Sequence, residues 1–351
     1  IAAQPELAAR YTTIGRSVAI VTNGTRVLGL GNIGPVASMP VMEGKAIFYR
    51  QCAGISATPI LVDTEDVDEF VETVVRIAPT FGGIHLEDIS APACFEIERQ
   101  LRARLDIPVF HDDQHGTAVV VLAALRNAAA VCGSDLASLR VVVLGAGAAG
   151  TATARLLRTA GAGVVTVADR AGTITTSRTD LNDEKRALAE ELGATGATRG
   201  LAEVLRDANV LIGLSGPRLV TVDMVETMGH PRIVFALANP EPEIDPVTVA
   251  DKVDIMATGR SDYPNQVNNV LAFPGIFRGL LDARASSVTS NMVLAAADAL
   301  AAAVPPELRS AEYILPSVFD TAVVPAIAKA VAAAARADGV ARKAAKDNAA
   351  P

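Results

Sequence analysis

The sequence predicts an α/β protein of two domains: an N-terminal α/β domain with a parallel sheet, then a Rossmann-type doubly wound domain, with a helical C-terminal segment after them. Three observations predict it. Short β-rich runs alternate with helical patterns through the first third of the chain, and strand–helix–strand alternation builds a parallel sheet. A second alternating block opens on a glycine-rich turn, "RVVVLGAGAAGTATARLLRTAGAGVVTVADR" (140–170). From about Asn291 the chain becomes alanine-rich, a signal of helix propensity. A chain of 351 residues has room for two domains. The expected blocks are residues 1–133, 134–290 and 291–351.

In order, "SVAIVTN" (17–23) and "RVLGLG" (26–31) read as strands around an Asn-Gly turn. "TPILVDT" (58–64) reads as a buried strand. In "EDVDEFVETVVRIAPT" the apolar residues Val67, Phe70, Val71, Val74 and Val75 recur at helical spacing. "GGIHLED" (82–88) is a strand, "APACFEIERQLRARL" a helix, and "IPVFHDD" (107–113) a strand that leads into a long Ala/Val helix. In the second block "NVLIGLS", "RIVFALANP" and "VDIMATG" supply further short strands.

Composition narrows the function. Hydrophobic residues make up 50% of the chain and charged residues 20%, enough for a large core and unlike a disordered chain. The net charge of −8 and the lack of a basic stripe argue against nucleic acid. Arg, Asp or Gly interrupts every apolar stretch short of a membrane span. Cys52, Cys94 and Cys132 are odd in number and form no CxxC pair. They read as reduced, small buried hydrophobes in a cytoplasmic protein. The chain opens on Ile1, so the natural start is expected upstream.

Gly145, Gly147 and Gly150 form a GxGxxG turn with a strand before it and a helix after it. The turn spans Gly145, Ala146, Gly147, Ala148, Ala149 and Gly150, and points to a dinucleotide whose pyrophosphate meets the helix N-terminus. Asp169 ends the next strand, where it would accept from a ribose 2′-hydroxyl and favour NAD. Arg170 beside it could pair with a 2′-phosphate and admit NADP.

Parallel sheets bind ligands at the carboxyl ends of their strands, and Glu87, Asp88, Asp112 and Asp113 all fall there. Glu87, Asp88 and Asp113 form an oxygen-only set of the kind that holds Mg²⁺ or Mn²⁺; the alternative is solvated loop acids. His111 and His115 flank the acid pair, as hydrogen-bonding partners or else as ligands, and His85 and His230 read as isolated, structural or exposed. Lys45 in "PVMEGKAIFYRQCAG" is either a solvated loop charge or a buried amine with a lowered pKa. "ALANPEPE" (236–243) and "NQVNNVLAFPG" (265–275) are turn signals whose asparagines could also hold a small carboxylate.

Together, "VTNGTRVLGLGNIG", "PVMEGKA", "HLEDIS", "PVFHDDQHGTA", "VVLGAGAAG", "ALANPEPE" and "NNVLAFPG" resemble the malic enzyme family in its smaller bacterial form, along almost the whole chain. The resemblance implies oxidative decarboxylation of (S)-malate to pyruvate and CO₂ with NAD(P)⁺ and Mg²⁺ or Mn²⁺. It implies Lys45 as general base, tuned by Asp112, and Glu87, Asp88 and Asp113 as metal ligands. Asn239, Asn269 and Arg26 match malate contacts. The family's Tyr-x-Pro-Gly-Val-Ala motif, source of its general acid, does not occur here and is expected upstream of Ile1; Tyr11, Tyr49, Tyr263 and Tyr313 all lie outside it. A homodimer is the expected assembly. The alternatives are a nucleotide-binding protein without turnover and a dehydrogenase that does not decarboxylate; the carboxylate set argues against the second.

Overall fold

The computed structural model describes residues 1–27 and 29–342. They form two compact units. One comprises Ile1–Asp112, Val270–Ala296 and the chain from Thr321 on; the other comprises Asp113–Asn269 and Ala297–Asp320. The units are thus drawn from separated stretches of the chain. Packing joins the stretches of the first unit. The Phe273–Asp282 helix lies directly on the Val323–Ala337 helix. A Cβ at Gly275 would sit 2.7 Å from the Ile327 Cβ, and one at Gly279 2.5 Å from the Ala328 carbonyl oxygen. Two glycines four residues apart share a helix face, and here they let the two backbones meet.

In the first unit four parallel strands, β1 (Ser17–Thr22), β2 (Ser56–Leu61), β3 (Gly83–Leu86) and β4 (Val109–His111), lie in the order β2-β1-β3-β4. The connections are the helices Gly34–Phe48, Val67–Ile77 and Ala93–Arg104. Asp66 caps the second of these, accepting from the Glu69 N–H at 2.9 Å, as an N-cap aspartate does. β1 and β3 are buried throughout, whereas β2, expected to be buried, is an edge strand with partly exposed residues. Among the described residues of 26–31, where a second strand was expected, none forms. Only a bridge between Val27 and Gly31 marks that stretch, because Gly24, at φ +67°, turns the chain against the start of the Gly34–Phe48 helix.

In the second unit β5 (Arg140–Leu144), β6 (Val164–Asp169), β7 (Gly172–Thr173), β8 (Val210–Gly213), β9 (Ile233–Ala236) and β10 (Ile255–Thr258) lie in the order β10-β9-β8-β5-β6-β7. All pairings are parallel except β6 with β7. The chain runs outward from β5 first to one side and then to the other. This is a doubly wound sheet whose switch point lies between β5 and β8. The strand interiors are almost wholly buried Val, Leu, Ile, Phe and Ala, as expected of a sheet covered on both faces. The C-terminal segment is helical over Ser290–Ala302 and Val323–Ala337; its residues 343–351 lie outside the described residues. Among the described residues no helix is long and apolar enough to cross a membrane.

Candidate active site

The first unit gathers Lys45, Glu87, Asp88 and Asp112 around the carboxyl ends of β3 and β4. Lys45 occupies the last turn of the Gly34–Phe48 helix and is only 9% exposed. Its Nζ lies 2.7 Å from Asp112 Oδ2 and 3.0 Å from Glu87 Oε2. It also lies 4.6 Å from the centre of the Phe273 ring, an attraction between cation and π face. Asp112, at the end of β4, is fully buried. One buried cation thus bridges two buried carboxylates, which explains how an acid can be tolerated there. Of the two readings open for Lys45, the solvated loop charge is the one that fails.

Glu87 and Asp88 follow β3 and are both buried. The Glu87 N–H donates to the Val21 carbonyl at 3.0 Å, tying the acid to the end of β1. Asp88 sits at φ +52°, a left-handed backbone uncommon outside glycine that its surroundings must hold. Arg26 helps hold it: its backbone N–H donates to the Asp88 carbonyl at 3.0 Å, while its side chain is exposed. Thr25 Oγ1 accepts from the Ser90 N–H at 2.9 Å and donates to Asn23 Oδ1 at 2.7 Å, stitching the same two loops together. Asp113, half-buried, is the next residue after Asp112 and opens the second unit. Adjacent oxygen-only donors suit a hard dication, so Glu87 and Asp88 fit such an ion.

His85, expected to be isolated, lies in the middle of this group. It is fully buried, with Nε2 2.7 Å from Glu87 Oε2 and Nδ1 2.8 Å from the Tyr49 hydroxyl. Burial, then Lys45 and His111, hold its pKa well below the usual imidazole range, so the ring is neutral. A carboxylate only accepts, so Nε2 carries the hydrogen and Nδ1 accepts from Tyr49. Burial, followed by Asp112 and Glu87, raises the Tyr49 phenol well above its ordinary pKa and keeps it protonated. Both residues escaped the sequence reading, although the signals existed. His85 precedes Glu87 by two residues along an extended run, so the two share a face. Tyr49 follows Lys45 by four along a helix and lies beside it. His111 is fully buried and its backbone N–H donates to Glu98 Oε1 at 3.3 Å. His115 is half-buried. His230 is exposed beside Asp254, as expected.

In the second unit the glycine-rich turn lies at the switch point. Gly145 has φ +120°, and a Cβ there would stand 2.4 Å from the Leu214 carbonyl oxygen just beyond β8. A Cβ at Gly150 would stand 1.9 Å from the Gly145 oxygen, so glycine is required there for the helix to leave the strand tightly. At Gly147, the N-cap of the Ala148–Thr159 helix, no atom lies within 4 Å of an added Cβ. That open backbone at a helix N-terminus fits a pyrophosphate. Ala146 is buried, and Ala148 and Ala149 are half-buried along the same turn.

Asp169 ends β6 as expected, but its charge is already met. Arg178 Nη1 lies 2.8 Å from Oδ1 and Lys185 Nζ 2.7 Å from Oδ2. Burial would raise the Asp169 pKa; hydrogen bonds from Arg178 and Lys185 outweigh it and lower the value. Arg170, the cation the sequence suggested, is exposed. Asn239 is exposed just past β9, and Asn269 is half-buried where the Asn269–Leu271 turn begins. Glu243, four residues beyond Asn239, folds back beneath this loop and is fully buried. Its carboxylate accepts from the Ser215 N–H at 2.9 Å and the Ala238 N–H at 3.1 Å, joining the loops after β8 and β9. Burial pushes its carboxyl upward while those donors pull the other way, and the balance is raised. Of the cysteines Cys94 is buried, Cys132 intermediate and Cys52 exposed, so the expected burial fails at Cys52, which lies in the turn after the Lys45 helix.

Residues 114–336 match the family model described as malic enzyme, NAD binding domain, and residues 6–66 and 63–102 match that of the malic enzyme N-terminal domain. The chain is 50% identical over 343 residues to the NAD-dependent malic enzyme of Geobacillus stearothermophilus, covering 98% of this chain and 72% of that one. It is 48% identical over 366 residues to an NADP-dependent malic enzyme of Rhizobium meliloti, covering 99% of this chain and 48% of that one. The crystal structure of malic enzyme from Pyrococcus horikoshii superposes with a TM-score of 0.93 at 45% identity, covering 99% of this chain and 82% of that one. Sequence models over both halves, a relative at half identity and a shared backbone agree, and this chain belongs to the malic enzyme family.

Proposed function

We propose that the chain catalyses the oxidative decarboxylation of (S)-malate to pyruvate and CO₂ with reduction of NAD(P)⁺, and that it requires a divalent cation. The observation that carries the reading is the buried Lys45 amine between Asp112 and Glu87 at the carboxyl ends of a parallel sheet. A base is needed there, because hydride cannot leave C2 unless the C2 hydroxyl gives up its proton. In this reading Lys45 takes that proton, and Asp112 orients the amine and stabilises its charged form. Glu87, Asp88 and Asp113 would hold Mg²⁺ or Mn²⁺. Arg26, Asn239 and Asn269 would bind the malate carboxylates. The Gly145–Gly150 turn would cradle the pyrophosphate. When bound, the cofactors supply hydride acceptance at C2 and electron withdrawal from the C2 oxygen as the C4 carboxylate departs. The enolate left behind gains a proton at C3 to give pyruvate, which balances the proton that Lys45 removed.

For the dinucleotide we propose NAD⁺ as the preferred form with NADP⁺ accepted. Asp169 supports the first, and the cations Arg178 and Lys185 beside it support the second. The three free thiols suit a reducing compartment, and we place the enzyme in the cytoplasm as a homodimer. Val36 and Ile47, 80% and 54% exposed on one face of the Gly34–Phe48 helix, are apolar surface that a second copy would cover. The test is malate-dependent NADH formation before and after EDTA. Cation-dependent formation is expected; formation untouched by chelation would remove the metal from the account, and none under any condition would remove the activity.

A further inference from the structure

His85 and Tyr49 are buried polar groups with no part in the chemistry above. Yet the chain Tyr49 O–H to His85 Nδ1 at 2.8 Å, and His85 Nε2–H to Glu87 Oε2 at 2.7 Å, ends on the oxygen that lies 3.0 Å from Lys45 Nζ. The imidazole itself is fixed in place. It stacks on Phe277 with centroids 5.6 Å apart, and meets Tyr49 and Phe273 edge-on at 5.7 Å and 5.5 Å. Phe273 is also the ring beneath the Lys45 amine. A glutamate has three side-chain torsions, and a ligand that must meet a cation gains from having them set beforehand. Apolar packing alone would hold a Phe or Leu at position 85 equally well and would not need a donor aimed at the carboxylate.

We propose that Tyr49 and His85 are positioning residues: a buried relay of two hydrogen bonds that fixes the Glu87 carboxylate for a divalent cation and, through the shared Oε2, sets the place of Lys45. The assignment rests on the functional reading above, in which Glu87 is a metal ligand.

The test separates donor from shape by measuring Mn²⁺ binding alone, from the loss of free-ion paramagnetic resonance, with neither malate nor dinucleotide present. His85→Gln keeps an N–H near the place of Nε2 and loses the acceptor for Tyr49. His85→Asn is shorter, and keeps a polar group only near Nδ1. Tyr49→Phe keeps every ring and removes one hydrogen bond. His85→Asn should weaken Mn²⁺ binding by about 10- to 100-fold, the usual size for loss of a partner behind a metal ligand. His85→Gln and Tyr49→Phe should lose about two- to tenfold, the worth of one hydrogen bond. His85→Asn binding Mn²⁺ as the wild type does would overturn the proposal. So would His85→Gln falling as far as His85→Asn, because the ring's shape would then be what matters. If His85→Asn does not fold, Tyr49→Phe decides: unchanged Mn²⁺ affinity refutes the relay. Wild-type protein that neither binds Mn²⁺ nor oxidises malate overturns the functional reading and this assignment with it. Wild-type binding and turnover with unaltered variants overturns the relay alone.

Discussion

Replacing Lys45 by methionine removes one charge and keeps most of the apolar stem. The structure indicates what that charge holds. Two buried carboxylate oxygens, on Asp112 and Glu87, lie 2.7 and 3.0 Å from Nζ, and without it both lose their shared cation. Removing one partner from a buried ion pair costs about 3–5 kcal/mol. For a chain of 351 residues that is a fall of roughly 4–7 °C in melting temperature. A divalent cation can supply the missing positive charge, so Mn²⁺ should bind the variant more tightly than the wild type. At about 100 times its dissociation constant it would return roughly 2.7 kcal/mol. Activity should not return with it, since a cation cannot take the C2 hydroxyl proton in place of the amine. The loss in kcat should be at least about 10²–10⁴-fold, the usual contribution of a general base. Thermal unfolding with and without Mn²⁺, beside malate-dependent NADH formation, reads both effects. A kcat within about tenfold of wild type would refute the assignment of the base. An unchanged melting temperature would refute the electrostatic account.

Other outcomes follow from the second unit. Asp169→Ser removes a carboxylate and releases Lys185 and the Nη1 side of Arg178, which still holds Asp180, to meet a 2′-phosphate, so the ratio of kcat/KM for NADP⁺ over NAD⁺ should rise; a ratio that stays put would show that the cofactor does not reach Asp169. Arg178→Met should destabilise the protein in a pH-dependent way. Arg178 lowers the pKa of Asp180 to about 2, and lowers that of Asp169 against an opposing effect of burial. Depressed carboxyl values stabilise the fold above the unfolded pKa of about 3.9 and lose that contribution as pH falls through the folded values. The gap in melting temperature between wild type and variant should therefore be full at neutral pH and narrow below about pH 4; a constant gap would mean that Arg178 acts through packing. Gly213→Ala would place a Cβ 2.4 Å from Glu243 Cδ and push the carboxylate off Ser215 and Ala238. Overpacking of this kind costs about 1–3 kcal/mol, readable by urea unfolding, and an unchanged midpoint would contradict the close approach.

The parts of the site legible in the sequence were those whose chemistry depends on neighbours along the chain. The glycine spacing and the strand before it announced the turn at Gly145. Acids at the ends of apolar runs announced Glu87, Asp88 and Asp112. What stayed hidden needs the fold to bring it together. Arg178 and Lys185 follow Asp169 by nine and sixteen residues and reach it only because β7 and the segment after it double back. Glu243 read as one more acid in a turn, and its burial depends on the bare Gly213 opposite. His85 was hidden for another reason. One histidine in a strand carries no signal until its face is compared with that of Glu87. At Arg26, expected to open a strand, local propensity yields to tertiary demand, since its backbone N–H is spent on the Asp88 carbonyl. The closeness of the Phe273–Asp282 and Val323–Ala337 helices likewise depends on Gly275 and Gly279, which carry no signal in the sequence until the two helices meet.

The central claim is that oxidation at C2 and loss of the C4 carboxylate occur on one protein. It is tested most directly with (S)-malate isotopically labelled in its C4 carboxylate, incubated with NAD⁺ and Mn²⁺. Labelled CO₂, pyruvate and NADH are measured together. The account predicts all three in equal amounts. NADH accompanied by accumulating oxaloacetate, with no labelled CO₂, would contradict it.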